Sequence, residues 1–533
     1  MWSALWLLCG LVFSAVHSWG VPRFDFDRYG ALRSSTSIIN SDNIAEWTPI
    51  VSELTPGKQD FYMFNISDKS SGLGFAPSYE ILIFMSGNIC SQPPFENASF
   101  NSLEVEVRLS YAFNDTIAVN ASIGESVAFS SGYVEALEVC PLNVTDQTAF
   151  TKSQFSNLYV VVELYNTTSK LPLQVTPETA QMTWSYRLSI SENDLVFQWD
   201  ERSWLEVLDT DHNSALLMTG NVSADHHSQM GNVSVYDPSL YDIYIYTEEE
   251  STKLMQAQMN FSLCAVTNGN YLVTSANEVN VSSNMMENTL RVQKTIASSG
   301  NGVSEFFYVT GLNMSTSYVA YLTKKIGQRG NLSDVGGILF SNIEFTTAID
   351  DSCSLIYGLD FCTDVMYSVP TSSLAAGNKT LMAETYDNIA KGVYANFSSA
   401  LKLVSCDTEL DARYSPLRTC EDCARSYRDW LCAVSIPRCT TRHSEYYLMR
   451  SKNDNRNAFI NEYIRPIRNY YEILPCINMC YNLVSDCPSV FGFSCPSSNK
   501  NEELLLNSYN YFIEDSWDPT CNFLGNITHA LKS

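Results

Sequence analysis

The stretch DWLCAVSIPRC, Asp429 to Cys439, carries two cysteines seven residues apart on an apolar run that closes in Ile-Pro-Arg-Cys. Alone, it suggests a direct bridge between Cys432 and Cys439. Its surroundings change that reading. Twelve cysteines lie from Cys353 to Cys521, whereas only Cys90, Cys140 and Cys264 fall between residues 21 and 349. Such a cluster reads as a disulfide framework if the compartment is oxidising. The rival is zinc, invited by CEDC at Cys420–Cys423. A second Cys-x-x-Cys and a His pair at ligand spacing are missing, and the whole chain holds 6 His. Disulfides are therefore the better reading. Glu421 and Asp422 disfavour a thiolate, which argues against redox chemistry at CEDC.

The amino-terminal residues supply the compartment. Leu5 to Val16 is apolar and Val16-His17-Ser18 offers a small-residue cleavage site, so residues 1–20 read as a secretory signal rather than a spanning anchor. Losing Cys9 with the signal leaves an odd number of cysteines, and so one thiol outside the intrachain bridges. Glycosylation acceptors, Asn-x-Ser/Thr, recur at Asn65, Asn97, Asn114, Asn120, Asn143, Asn166, Asn221, Asn232, Asn260, Asn280, Asn313, Asn331, Asn378, Asn396 and Asn526. So many acceptors behind a signal imply a glycosylated extracellular face. A formal net charge of −26 argues against nucleic acid or an anionic lipid surface as the main partner. No later segment has the length of a membrane helix, so membrane association is expected through a partner.

Composition and patterning divide the chain into a signal (1–20), a β-sandwich domain (21–178), a second β-sandwich domain (179–349) and a cysteine-rich helical domain (350–533). LEVEVRLSYAF (Leu103–Phe113) and LYVVVELY (Leu158–Tyr165) are rich in β-branched and aromatic residues. Cys90 and Cys140 are placed to bridge that first sandwich. GLNMSTSYVAYLT (Gly311–Thr323) sets Leu312 and Tyr318 at the spacing of the tyrosine corner of fibronectin type III modules. Helical periodicity returns in Ser373–Cys406 and in Asn457–Cys487, the latter interrupted at Pro466 and Pro475.

The order LKLVSC, WLCAVSIPRC, LPCINMC, SDC and FGFSC resembles the cysteine-rich domain of Frizzled receptors. The whole chain is similar to the fungal stretch-activated calcium channel component family, on CARSYRDWLCAVSIPRC and PCINMCYNLVSDCP behind a glycosylated β region. That family is related through this domain to the auxiliary subunit of the animal sodium-leak channel. The Frizzled resemblance implies the pairs Cys353–Cys439, Cys362–Cys432, Cys406–Cys487, Cys476–Cys521 and Cys480–Cys495. It leaves Cys420 and Cys423, which have no Frizzled counterpart, to pair with each other. The family resemblance implies a secreted regulatory subunit that reaches the extracellular face of the plasma membrane. It would act through a pore-forming, voltage-gated-type calcium channel subunit, with homo-oligomerisation as a further option.

One departure from Frizzled domains draws attention. The gap from Cys439 to Cys476 is long, basic and aromatic, with Arg450, Arg456, Arg465, Arg468 and Tyr463 among its residues. Arg and Tyr suit interface hot spots, so this insertion is the expected docking surface. A solvated face is the plainer alternative. No Gly-x-Ser-x-Gly, phosphate loop or His-Glu-x-x-His is present, and no cofactor or catalytic residue is expected. DTDHNSALLMTG (Asp209–Gly220) begins like a calcium loop but lacks its sixth-position Gly and its closing Glu. It reads as an ordinary loop. A stand-alone ligand- or lipid-binding module and a secreted enzyme remain the competing readings.

Overall fold

The computed structural model describes residues 43–66, 81–93, 104–118, 121–140, 157–222, 239–276, 289–299, 302–328, 331–404 and 414–524, apart from single positions 178, 376, 416, 454, 456, 515 and 517. The expected signal lies outside these residues.

The first β unit is a sandwich. One sheet runs Ile50–Leu54, Trp184–Ser191, Ile81–Ser91, Tyr133–Cys140. The other runs Asn43–Ile44, Gln59–Phe64, Leu158–Asn166, Val105–Ala112, Glu125–Ala128. Period-two alternation drives the packing. Gln59–Phe64 buries every second side chain, Asp60, Tyr62 and Phe64. Leu54, Ile83, Leu109, Val160, Trp184 and Leu188 fill the space between the sheets. Each fully buried aliphatic contributes about 1.5–3 kcal/mol over its exposed state.

The second sandwich has the immunoglobulin-type arrangement. Leu205–Thr210, Ser214–Thr219, Gly302–Thr310 and Arg291–Ser299 form one sheet. Phe197–Asp200, Asn331–Phe340, Ser317–Gln328, Tyr241–Thr247 and Val273–Thr274 form the other, with Ile343–Thr346 also pairing Ser317–Gln328. The tyrosine corner is present: the Asn313 N–H donates to the Tyr318 hydroxyl at 2.9 Å, and Leu312 enters the core. This unit is covered on both outer faces. Leu216, Met218, Phe306 and Tyr308 pack against Leu355, Tyr357 and Met366 of the cysteine-rich domain. On the other side lie two short helices, α1 (Glu248–Gln256) and α2 (Leu263–Asn268). Double coverage explains why Ser214–Thr219 is buried along its whole length, as a strand between two layers must be.

The cysteine-rich domain opens with a hairpin, Cys353–Ile356 and Tyr367–Pro370. Helices α3 (Lys379–Leu401) and α4 (Cys420–Ser435) follow. α4 starts at a capping box in which Thr419 and Asp422 satisfy each other's backbone N–H. It stops at Ile436, the residue before Pro437, where the α conformation is disfavoured. The expected helical stretch Asn457–Cys487 is broken more than its prolines alone suggest. It becomes a π-helical turn at Ile460–Ile464, a strand at Tyr470–Ile473 and helix α5 (Ile477–Asp486). Tyr-Tyr-Glu-Ile has strand-forming chemistry and pairs Arg438–Thr440 and Leu448–Arg450 in a small sheet. α6 (Glu502–Ser508) completes the domain.

The disulfides correct three expectations. Cys353–Cys439, Cys362–Cys432, Cys476–Cys521 and Cys480–Cys495 are the bonds observed at those eight positions. Cys423, however, bonds Cys487, which displaces both Cys406–Cys487 and Cys420–Cys423. The physical reason lies in α4. Residues three apart on a helix hold their Cβ atoms about 5–6 Å apart, beyond the roughly 3.5–4.5 Å that a disulfide spans. Cys420 is also disulfide-bonded, to a partner outside the described residues; Cys406 lies outside them too. In the first sandwich, Cys90 bonds Cys264 instead of Cys140. Cys140 pairs across from Ile81, nine positions along the strand from Cys90, or about 30 Å at strand rise. It is a buried thiol.

Candidate docking surface

Two junctions fix where the cysteine-rich domain sits. Between the sandwiches, Cys90–Cys264 ties a strand of the first to α2 of the second. Neutral hydrogen bonds surround it. The Leu263 N–H donates to Asn88 Oδ1 at 3.0 Å, Ser262 Oγ donates to the Ile89 carbonyl at 2.6 Å, and the Phe197 N–H donates to Ser86 Oγ at 3.0 Å. Gly132, at φ 84°, admits the second unit: a Cβ there would come within 3.0 Å of Met259 Cα.

Between the second sandwich and the cysteine-rich domain, the tie is ionic. Asp211 and Lys379 are 0% and 4% exposed, and the ammonium lies 2.6 Å from Asp211 Oδ2. Asn213 Oδ1, Ser214 Oγ and the Tyr308 hydroxyl take up more of the Lys379 ammonium's surroundings, at 3.1, 3.0 and 3.3 Å. Asp211 is equally engaged. Its Oδ2 accepts the Leu355 N–H at 2.8 Å, and its Oδ1 accepts the N–H groups of Asn213 and Ser214. A second pair lies beside it, Arg438 Nε to Asp209 Oδ2 at 3.1 Å, with the Ser368 N–H donating to the same oxygen. The segment that resembles a calcium loop is therefore the anchor for the next domain. Among the described residues no His, Cys, Asp and Glu cluster is arranged to hold a metal ion.

The electrostatics of the two aspartates differ. Burial pushes the Asp211 carboxyl up, but the Lys379 charge and the donated hydrogen bonds outweigh it and hold Asp211 below the usual carboxylate range. Burial also pushes Asp209 up, and there Arg438 only partly offsets it, so the carboxyl stays above its ordinary value. Burial alone would lower Lys379; the Asp211 carboxylate reverses that and raises it. The pairing itself was not legible from sequence: Asp209 and Asp211 drew notice only as the start of a calcium-like loop, and Lys379 lies 168 positions from Asp211 with nothing to connect the two.

The basic insertion divides into structural and exposed residues. Arg450 is spent internally, donating from Nε to Glu472 at 2.6 Å and from Nη2 to the Asn507 carbonyl at 2.7 Å. Tyr470 is buried and donates to Asn455 at 2.6 Å. Arg465 and Tyr463 are exposed on the π-helical turn, and Arg468 is exposed in a pair with Asp351 at 2.7 Å. Arg465 sits at φ 52°, in the left-handed region that costs a non-glycine residue about 1–3 kcal/mol. Ser372 and Ser373 hold the turn, through Ser372 Oγ to the Ile464 carbonyl and the Ser373 N–H to the Arg465 carbonyl. Arg456 lies outside the described residues.

The acceptor asparagines are distributed unevenly. Asn65, Asn114, Asn313, Asn378 and Asn396 are exposed, and Asn166, Asn221 and Asn260 are half-buried. Asn97, Asn120, Asn143, Asn232, Asn280, Asn526 and the side chain of Asn331 lie outside the described residues. No acceptor site occurs between Asn396 and Asn526, the segment that supplies α4, the insertion, α5 and α6. That segment exposes Met449, Tyr463, Tyr481, Leu504 and Leu506.

This is the architecture of a multidomain protein in which two β-sandwich units precede a disulfide-held helical module. Residues 82–527 match the family described as stretch-activated Ca2+-permeable channel component, and the chain belongs to that family. It is 56% identical over 499 residues to the stretch-activated cation channel MID1 of Saccharomyces cerevisiae, covering 92% of this chain and 88% of that one. It is 33% identical over 345 residues to the stretch-activated cation channel yam8 of Schizosaccharomyces pombe, covering 64% and 63%. Among solved structures, a purple acid phosphatase from yellow lupin aligns at 9% identity with a TM-score of 0.16, covering 52% of this chain and 40% of that one, which carries no argument. No described helix is long and apolar enough to cross a membrane.

Proposed function

We propose that the chain is an extracellular regulatory subunit of a calcium channel. It would be required for stretch-activated or high-affinity calcium influx, while a separate, voltage-gated-type pore subunit carries the ion. The observation that carries this reading is the acceptor-free, aromatic face of the cysteine-rich domain. A protein bearing acceptor sites along both sandwiches but none from residue 397 to 525 keeps that face clear for another protein. Exposed Tyr463, Arg465 and Arg468 have the hot-spot chemistry such a face uses. The fold then divides into an acceptor-free face that docks and a remainder, both sandwiches and α3, that bears the acceptor sites. Membrane association would run through the pore subunit, and the signal-like residues 1–20, the acceptor sites and the disulfides support passage through the secretory pathway.

Calcium uptake in a strain lacking this chain tests the reading. Uptake should be lost, and restored by the chain only when the pore subunit is present. Charge reversal at Arg465 and Arg468 together should reduce co-purification of that subunit while secretion continues. Undiminished recovery would remove this face as the docking site, and normal uptake without the chain would remove the reading itself.

A further inference from the structure

A cavity of about 320 Å³ opens at the junction of the two sandwiches. Its wall takes Arg187 from the first unit, and Phe197, Tyr244, Thr267, Tyr271 and Lys325 from the second. Its volume is at the lower end of the range for small-molecule sites, and domain junctions are where such sites concentrate. The lining is unusual for this molecule. The chain carries a net charge of −26, yet the cavity's ionisable walls are cationic.

Arg187 lies in the central strand Trp184–Ser191, opposite Val51 on one side and Asn88 on the other. Cross-strand partners share a face, so Arg187 stands on the face that Asn88 presents to α2. Its side chain has no hydrogen bond or ion pair among the described residues. Asn88 itself is turned to α2, its Oδ1 accepting the Leu263 N–H at 3.0 Å, and does not line the cavity. Lys325 reaches Asp242 at 2.6 Å and remains 31% exposed, so it retains donors for a second acceptor. Among the aromatic residues at its edge, Tyr271 is half-buried and Phe197 and Tyr244 are buried behind it, Tyr244 and Tyr271 meeting edge to face at 5.3 Å between centroids.

We propose that this cavity binds an anionic monosaccharide, a sugar carrying one phosphate or carboxylate group. Arg187 and Lys325 hold the anion, and Tyr271 packs against the ring. The volume is on the scale of one sugar unit.

The test uses the full-length glycoprotein and three probes: a hexose 6-phosphate, inorganic phosphate and the neutral hexose. Saturable thermal stabilisation is expected with the hexose 6-phosphate, weaker stabilisation with phosphate, and none with the neutral sugar. In Arg187→Gln, affinity for the hexose 6-phosphate should fall roughly tenfold or more, the scale of one lost charge-assisted hydrogen bond. Arg187→Lys, which keeps the charge, should fall between the two. Three results would overturn the proposal: no saturable shift with the sugar phosphate in the unmodified protein, equal affinity for the sugar phosphate and the neutral hexose, or undiminished affinity in folded Arg187→Gln. Equal affinity for phosphate and its sugar ester would overturn the assignment to a sugar.

Discussion

The two junctions solve the same mechanical problem with different chemistry. The sandwiches are joined by one covalent bond and a ring of neutral hydrogen bonds. The second sandwich and the cysteine-rich domain are joined by buried ions, Asp211 with Lys379 and Asp209 with Arg438. The first junction holds a reducible bond among neutral partners, whereas the second depends on protonation and is crossed by no disulfide among the described residues. Reductant reaches the second at one remove, because Cys353–Cys439 braces the strands that present Leu355 and Arg438.

The largest expected effect comes from breaking the ionic junction on one side only. Lys379→Ala leaves Asp211 charged and buried without its partner, at a cost of about 3–5 kcal/mol. Scanning calorimetry should show a much lower melting temperature or loss of secretion. Adding Asp211→Ala should cost less than the sum of the two single changes, since the pair acts as a unit. Second in size is the covalent junction. Replacing Cys90 and Cys264 together by Ser should cost about 2–4 kcal/mol. Limited proteolysis should then cut between the sandwiches while the cysteine-rich domain stays intact. If the cysteine-rich domain is cut first, the two ties are not independent.

The pH dependence sharpens the contrast. Asp211 has a lowered folded pKa, so its contribution is present above its unfolded value near 3.9 and is lost as pH falls through the folded value. Lys379 has a raised folded pKa, so its contribution is present below about 10.4 and is lost as pH rises through the folded value. Asp209 runs against Asp211. Its raised folded pKa makes folding less favourable as pH climbs from about 3.9 through that value, which softens the acid limb. Melting followed from mild acid to mild alkali should therefore be flat for the ionic junction and fall at both extremes. The double Cys variant should keep this profile, displaced downward. Lys379→Ala should lose the alkaline limb.

Smaller effects separate corner from surface. Tyr318→Phe removes the acceptor of the Asn313 N–H and should cost about 1 kcal/mol by chemical denaturation. Arg468→Ala breaks an exposed pair and should change stability by less than about 1 kcal/mol, which makes it usable as a docking variant.

What could be read from sequence was whatever lies close along the chain. Leu312 and Tyr318 are six positions apart and made the second sandwich legible. The cysteine order made the helical domain legible in the same way, because each cysteine is met beside its own helix or strand. CEDC misled by elimination: its cysteines were the two left over once the Frizzled order was assigned, but one helical turn holds their Cβ atoms too far apart for a bridge, and Cys423 bonds Cys487. Lys379 was hidden more thoroughly. It follows the helix cap Asn378, itself an acceptor site, and nothing local marks it as the residue that enters another domain. Arg450 looked like a docking residue because composition cannot separate an arginine that is already spent on Glu472 from one that is exposed.

The double coverage of the second sandwich bears on how the chain is made. Ser214–Thr219 leaves the ribosome as a continuous apolar strand, and its outer cover, Leu355 and its neighbours, is encoded more than a hundred residues later. At about 5–20 residues per second, that face waits on the order of ten seconds before its partner exists. During this interval Asp211 has no Lys379 and Leu216 has no Leu355. On the secretory route proposed above, the acceptor asparagines Asn221 and Asn313 would enter the lumen within it. Glycans added there would shield the waiting sheet from other chains, so that the sugars and the late-arriving domain would protect one surface in succession.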